Sequence, residues 1–237
     1  MQLAFGDDPR TRQLRDIHER LIACFGRIVR PPEKRRDPVW VLVHGVIGAR
    51  TKTARSNVST DGLLARHGSW EAVADAPPEA LAAKLELVTF PELMAERLKA
   101  CLLAVKRERG RIDLSHLAAL DTQEAMAWLE TLPGVARKIS AGVVNASTLN
   151  RKAMVLDSHH RRVLQRIGLV PPRADTTRAY DVLTPALPPE WDAADYDEHH
   201  LLMKRVGQRF CRPSQCHCAP CPVQALCRTG RARPSLQ

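Results

Sequence analysis

A chain of 237 residues is long enough to bury one large core or two modest ones, and its 44% hydrophobic content is ordinary for a soluble globular protein. The longest apolar stretch, around residues 39–47, is too short to span a bilayer and contains His44. A formal charge of +10 points to a polyanionic partner, nucleic acid first, against the plainer alternative of a solvated basic surface.

Aromatics are 4% of the chain and β-branched runs are few, so helices are the default. Leu14, Ile17, Leu21, Ile22, Phe25 and Ile28 recur at helical spacing and predict a helix over 8–29. Residues 31–37 read as a charged, proline-marked linker. Asp37 then caps a helix with Pro38 at its first position. The run from Val39 to Val43 would also suit a buried strand, but no partner strand is visible and helix is preferred. Further helices are expected over 60–66, 69–74, 78–84, 91–109, 122–130, 136–147, 158–167, 176–183 and 193–210. The fold class is all-α, with about a dozen short helices. The N-terminus lacks a basic segment followed by an apolar one, so no signal peptide is read. The expected location is the cytoplasm, where seven cysteines would stay reduced and suit metal ligation.

The stretch Leu132-Pro133-Gly134-Val135-Ala136-Arg137 reads as a tight turn between two helices. Free amides at the start of the second helix form a ready phosphate site, and Pro133 and Gly134 let backbone approach the anion closely. A purely structural αα-hairpin is the alternative. Lys138 falls in the first turn of that helix, where the positive end of the dipole disfavours an ammonium and exposes a nucleophilic amine. Most helix lysines are simply solvated. Asp157 closes the apolar run from Ala153 to Leu156 and precedes Ser158-His159-His160. It suits a helix N-cap, and a partly buried carboxylate there could stabilise positive charge developing on a sugar.

Near the C-terminus Cys211, Cys218, Cys221 and Cys227 are spaced Cys-x6-Cys-x2-Cys-x5-Cys. Structural zinc sites favour two tight pairs and a longer spacer, so this pattern fits a [4Fe–4S] cluster better than zinc, disulfides or free thiols. Cys216 lies inside the first gap.

Together, the hairpin ending in Lys138, the block from Val155 through Asp157 to His159, the segment from His199 to Cys211 and the cysteine spacing resemble the endonuclease III-type DNA glycosylases of the helix-hairpin-helix superfamily. The resemblance runs from about 37 to 227 in the family's order. It implies two helical lobes. Residues 37–150 would form a six-helix barrel carrying the hairpin. Residues 1–36 and 151–237 would form the cluster lobe, with the [4Fe–4S] loop at 211–227. By position, Lys138 is implied as the Schiff-base nucleophile and Asp157 as the essential carboxylate. Cys211, Cys218, Cys221 and Cys227 are implied as the cluster ligands, while Cys216, Cys24 and Cys101 are implied to be bystanders.

The chain departs from the family pattern at several points. Ala136 replaces the hairpin's usual second glycine, and the stretch 145–154 lacks the usual glycine and proline. Arg50 stands where the family carries a gap-filling glutamine, and Thr53 where it carries an acidic pocket residue. The expected DNA contacts are Arg50, Leu132, Pro133, Gly134, Val135, Ala136 and Arg137. The implied activity is base-excision repair of duplex DNA bearing a damaged or mismatched base or an abasic site, with β-elimination at the abasic site, by a monomer. A monofunctional glycosylase using water and a non-catalytic DNA-binding protein are the competing readings.

Overall fold

The structure is a computed structural model that describes residues 8–232. These are helical apart from turns and two isolated bridges, Arg36 with Ser147 and Cys211 with Cys216. No helix among them is long and apolar enough to cross a membrane. The helices are α1 (Pro9–Phe25), α2 (Pro38–Ile47), α3 (Thr53–His67), α4 (Trp70–Asp75), α5 (Pro78–Ala82) and α6 (Pro91–Arg109). They continue with α7 (Thr122–Glu130), α8 (Arg137–Ala146), α9 (Ser158–Ile167), α10 (Thr176–Leu183), α11 (Ala193–Arg209) and α12 (Arg228–Arg231).

The chain divides into two compact units. One is Pro31–Ala153; the other joins the described parts of Met1–Arg30 and Met154–Gln237. The sequence suggests boundaries at 36/37 and 150/151. Residues 31–36 cluster with the middle unit because the Thr148 amide donates to the Arg36 carbonyl at 3.0 Å and Arg35 donates to the Asn145 carbonyl at 2.8 Å. Residues 151–153 stay with it because the Arg151 amide returns to the Val144 carbonyl at 3.0 Å.

The middle unit is built round α2. The Asp37 carboxylate accepts from the Val39 amide at 2.8 Å, Pro38 supplies a preset φ, and the helix is apolar almost all round. Such a helix must be enclosed, and α2 packs on α3, α6 and α8, with Leu42, Val43 and Ile47 fully buried. Gly45 permits the α8 approach, because a β-carbon there would stand 2.8 Å from Ile139 Cγ2. Helix α3 begins at Thr53, well before the expected 60. Its first half buries Ser56 and Ser59, small polar residues that leave no apolar period to read.

In the other unit α11 packs against α1 and α9, and α9 also meets α10 and α12. Helix α1 buries Leu14, Ile17, His18 and Leu21 as one stripe. It stops at Phe25, short of the expected 29, because Gly26 turns to φ 74° and its amide caps the Ile22 carbonyl at 2.8 Å.

Candidate functional site

In the middle unit, α7 and α8 form the predicted hairpin. A capping box, with Asp121 and Glu124 bonded to each other's amides at 2.8 and 2.9 Å, starts α7. The turn bends at Gly134, whose φ of +78° belongs to the left-handed region that glycine enters freely. Leu132 and Val135 are buried and anchor the turn, while Pro133, Gly134 and Ala136 are exposed. Side-chain contact with a ligand therefore falls away from Leu132 and Val135, and the exposed surface of the turn is mostly backbone. Ala136 has φ −115°, a conformation open to any residue, so replacing a glycine here carries no backbone strain.

Ala136 is the N-cap of α8 and provides no side-chain cap. An anion at this helix end would take the place of one. Arg137 was expected to contact DNA, but its guanidinium faces Glu130 at 2.7 Å, and Ser140 Oγ donates to the same carboxylate at 2.6 Å. That pair locks the hairpin's two helices together. Lys138 is half-buried in the first turn of α8.

Arg50 sits between α2 and α3, exposed, with φ +57°. Its carbonyl accepts from Thr89 Oγ1 at 3.2 Å, and Thr51 Oγ1 accepts from the Thr89 amide at 2.9 Å. The next residue, Phe90, also has a positive φ, +63°, and its ring is 52% exposed. Two non-glycine residues in the left-handed region are thus tied side by side, each strained by about 1 kcal/mol or more. Sequence reasoning missed Phe90; the one available signal was an aromatic directly before a helix-starting proline. Thr53 is the exposed first residue of α3.

In the other unit, Asp157 is the N-cap of α9 and accepts from the His160 amide at 2.8 Å. Lys204 Nζ lies 3.8 Å from its other oxygen. Burial favours the neutral acid, but His200, the His160 amide and Lys204 outweigh it and hold the carboxyl below its ordinary range. Behind Asp157 lies a buried group of histidines. His160 Nδ1 is 3.1 Å from the Val155 carbonyl, an acceptor only, so that nitrogen carries the proton. His200 Nδ1 is 3.4 Å from it, and His199 Nδ1 is 3.3 Å from His18 Nδ1. Burial depresses His160 to about 4 and keeps His18 and His199 below their usual value. His18, Asp195 and Glu198 also bring ligand atoms within 4.8 Å of one another. Glu198, however, already accepts from the Ile28 amide at 2.6 Å and from Arg27 at 3.1 Å, and Asp195 closes a capping box with Asp192. These carboxylates are spent on holding α1 to α11 and on starting α11.

The four spaced cysteines and Cys216 line one cavity, floored by Val163, Ile167, Val206, Phe210 and Val223. All five are half-buried thiols. Arg166 Nη1 donates to Cys211 Sγ at 3.2 Å, while Cys227 Sγ donates to the Arg166 carbonyl at 3.3 Å. Burial raises the Cys221 thiol to about 11 and raises Cys211 as well, Arg166 partly opposing the latter. Among the described residues, no three of these sulfurs lie within 4.8 Å of one another. Cys24 is exposed and Cys101 is buried elsewhere, in α6.

No protein-family profile matches the chain. It is 28% identical over 200 residues to endonuclease III of Synechocystis sp., covering 83% of this chain and 84% of that protein. It is 27% identical over 212 residues to protein ROS1A of Oryza sativa, covering 82% of this chain. The chain spans only 9% to 11% of the length of the first plant relatives it matches. Among solved structures, a trapped endonuclease III–DNA covalent intermediate superposes with a TM-score of 0.75 at 22% identity, over 94% of this chain and 98% of that one. A thermostable thymine-DNA glycosylase gives 0.74 at 17% identity, over 95% and 100%.

Proposed function

We infer that this chain, an endonuclease III-type protein of the helix-hairpin-helix superfamily, is a base-excision DNA glycosylase with abasic-site lyase activity. One observation carries the reading. A glycine turn presents exposed backbone at Pro133, Gly134 and Ala136, and leads directly into a helix start without a side-chain cap and with Lys138 in its first turn. Such an element grips a phosphate without reading sequence and sets an amine at the positive end of a helix.

The resemblance supplies the roles. The target nucleotide leaves the duplex, paying its unstacking cost. The Lys138 amine bonds to the sugar C1′ as the C–N bond to the base breaks, the departing base taking the electron pair. Asp157, held ionised by its neighbours, takes a proton and balances positive charge on the sugar. The sugar ring then opens, the C1′–O4′ bond breaking and O4′ taking up a proton, which leaves an imine at C1′. The imine acidifies the adjacent C2′ hydrogen, and loss of that proton expels the 3′ phosphate. Arg50 and Phe90 present a cation and an exposed aromatic face, chemistry suited to filling a vacated stack and supporting the orphaned base. The partner is duplex DNA with a damaged base or an abasic site, met by a monomer in the cytoplasm or on the nucleoid.

The five-thiol cavity fits a [4Fe–4S] cluster, with Cys211, Cys218, Cys221 and Cys227 as ligands. Tetrahedral zinc at about 2.3 Å from each thiolate would draw the sulfurs to about 3.8 Å apart. Among the described residues no three of these thiols gather within 4.8 Å, and their Cys-x6-Cys-x2-Cys-x5-Cys spacing favours a cluster over the paired spacing of structural zinc sites. When bound, the cluster would supply folding energy to the loop and brace α9. An excision panel of uracil, thymine mismatches, oxidised pyrimidines and alkylated bases tests the activity. Release of one base with strand cleavage supports the reading, release without cleavage favours the water-using glycosylase, and binding without release favours the non-catalytic protein.

A further inference from the structure

We propose that Cys216 is a second thiol for the cluster corner assigned to Cys211, able to take that corner when Cys211 is lost. The inference rests on the cluster reading above.

The loop 212–215 returns the chain on itself, so that Cys211 and Cys216 face each other across an antiparallel bridge. The bond at this bridge runs from the His217 amide to the Phe210 carbonyl at 2.8 Å, between the flanking residues. The two cysteines are therefore a pair of the non-hydrogen-bonded kind, whose Cα atoms approach to about 4.5 Å. Residues directly opposite in such a pair project to the same face, with Cβ atoms about 4.5–5.5 Å apart. That face is the cavity, which both cysteines line together with Cys218, Cys221 and Cys227. Its neighbours Gln215 and His217 are exposed, whereas Cys216 itself is half-buried. Arg166, which donates to Cys211, lines the same cavity as Cys216. A thiolate at either position would thus be balanced by the same guanidinium. Rotation about one or two side-chain bonds, with little backbone movement, would let Cys216 reach the corner. It would bind as thiolate and release its proton to solvent.

The test uses the full chain purified without oxygen, read by iron content and by mapping alkylated cysteines in the folded holoprotein. Wild type and Cys216→Ala should each hold about four irons, with Cys211 protected from iodoacetamide. Cys211→Ala should keep its iron, and Cys216, reactive in wild type, should become protected. Cys211→Ala/Cys216→Ala should lose the cluster, as should Cys218→Ala, which has no thiol opposite it. Cys211→Ser, closer in volume, is made in parallel and should hold iron only while Cys216 is present. If wild type is iron-loaded but Cys211→Ala and Cys211→Ser are iron-free or insoluble, the inference is overturned while the cluster reading stands. Iron-free wild type overturns the cluster reading itself. Iron retained in both Cys211/Cys216 double variants also overturns the inference, since no second thiol is then needed.

Discussion

Arg166 reaches Cys211 Sγ with Nη1 at 3.2 Å, and its own carbonyl accepts from the sulfur of Cys227. One residue of α9 therefore touches the first and last of the four spaced cysteines. The same helix has Asp157 as its N-cap, so the loop that would hold the cluster braces the element carrying the proposed catalytic carboxylate. Protein purified without oxygen should be brown, with about four irons per chain. Arg166→Leu should cost about 1–3 kcal/mol of stability through the lost charge-assisted bonds and should speed bleaching in air. Stoichiometric zinc without iron would contradict the cluster assignment.

The hairpin predicts salt-sensitive, sequence-independent binding. Affinity for an abasic-site duplex should fall steeply with added salt as phosphate contacts release counterions. Gly134→Ala meets no steric obstacle, since the nearest atom, Arg97 Cβ, is 3.9 Å from the added carbon. Its cost is the positive φ, about 1–2 kcal/mol. Gly134→Asp adds repulsion of the phosphate and should weaken binding to every sequence alike. An affinity indifferent to salt would remove the hairpin from the interface.

Arg50 and Phe90 should matter only where a stack has been opened. Arg50→Ala and Phe90→Ala should each impair excision from duplex more than from a single strand, because only the duplex leaves an orphaned base to support. Equal losses on both substrates would make Arg50 an ordinary phosphate contact. Arg50→Gly relieves the φ of +57° and should be more stable than Arg50→Ala.

The buried histidines predict an acid-sensitive fold. His160 titrates at about 4 in the folded chain, against an ordinary value of 6.5. Between those limits the unfolded chain binds a proton that the folded chain refuses, so stability rises with pH. Stability is therefore full above about pH 6.5 and declines on acidification towards pH 4, at up to about 1.4 kcal/mol per unit for each such histidine. His18 and His199, also lowered by burial, act in the same sense. Asp157 is depressed below the ordinary carboxylate range and adds its own loss only at lower pH. Denaturant titrations from pH 7 to pH 5 should show the slope in wild type and a shallower one in His160→Leu. Identical slopes would refute the burial of a neutral His160.

Much of the fold is legible because its punctuation is local. Asp37-Pro38 and Asp157 cap helices through bonds to amides two or three residues on, and sequence shows such pairs directly. The cysteine spacing is legible for the same reason. Helix α3 is not, since the burial of Ser56 and Ser59 is decided by what packs on them. Arg137 reads as a free cation until Glu130, on the preceding helix, is seen to hold it. The histidine group is invisible because His18, His160, His199 and His200 come from three helices far apart in sequence. Phe90 gives no warning of its left-handed backbone, which lies next to the bonds from Thr89 to Arg50 and Thr51.

The chemistry itself is tested most directly by trapping with borohydride. Reduction during reaction with abasic-site duplex should fix a covalent protein–DNA adduct, mapped by mass spectrometry to Lys138. Lys138→Ala should abolish both adduct and strand cleavage while DNA binding persists. Asp157→Asn should keep the fold and lose most base excision, since the carboxylate acts mainly in the transition state. A wild-type protein that releases a base yet never traps would contradict the lyase mechanism, and full cleavage by Lys138→Ala would contradict the assignment of the nucleophile.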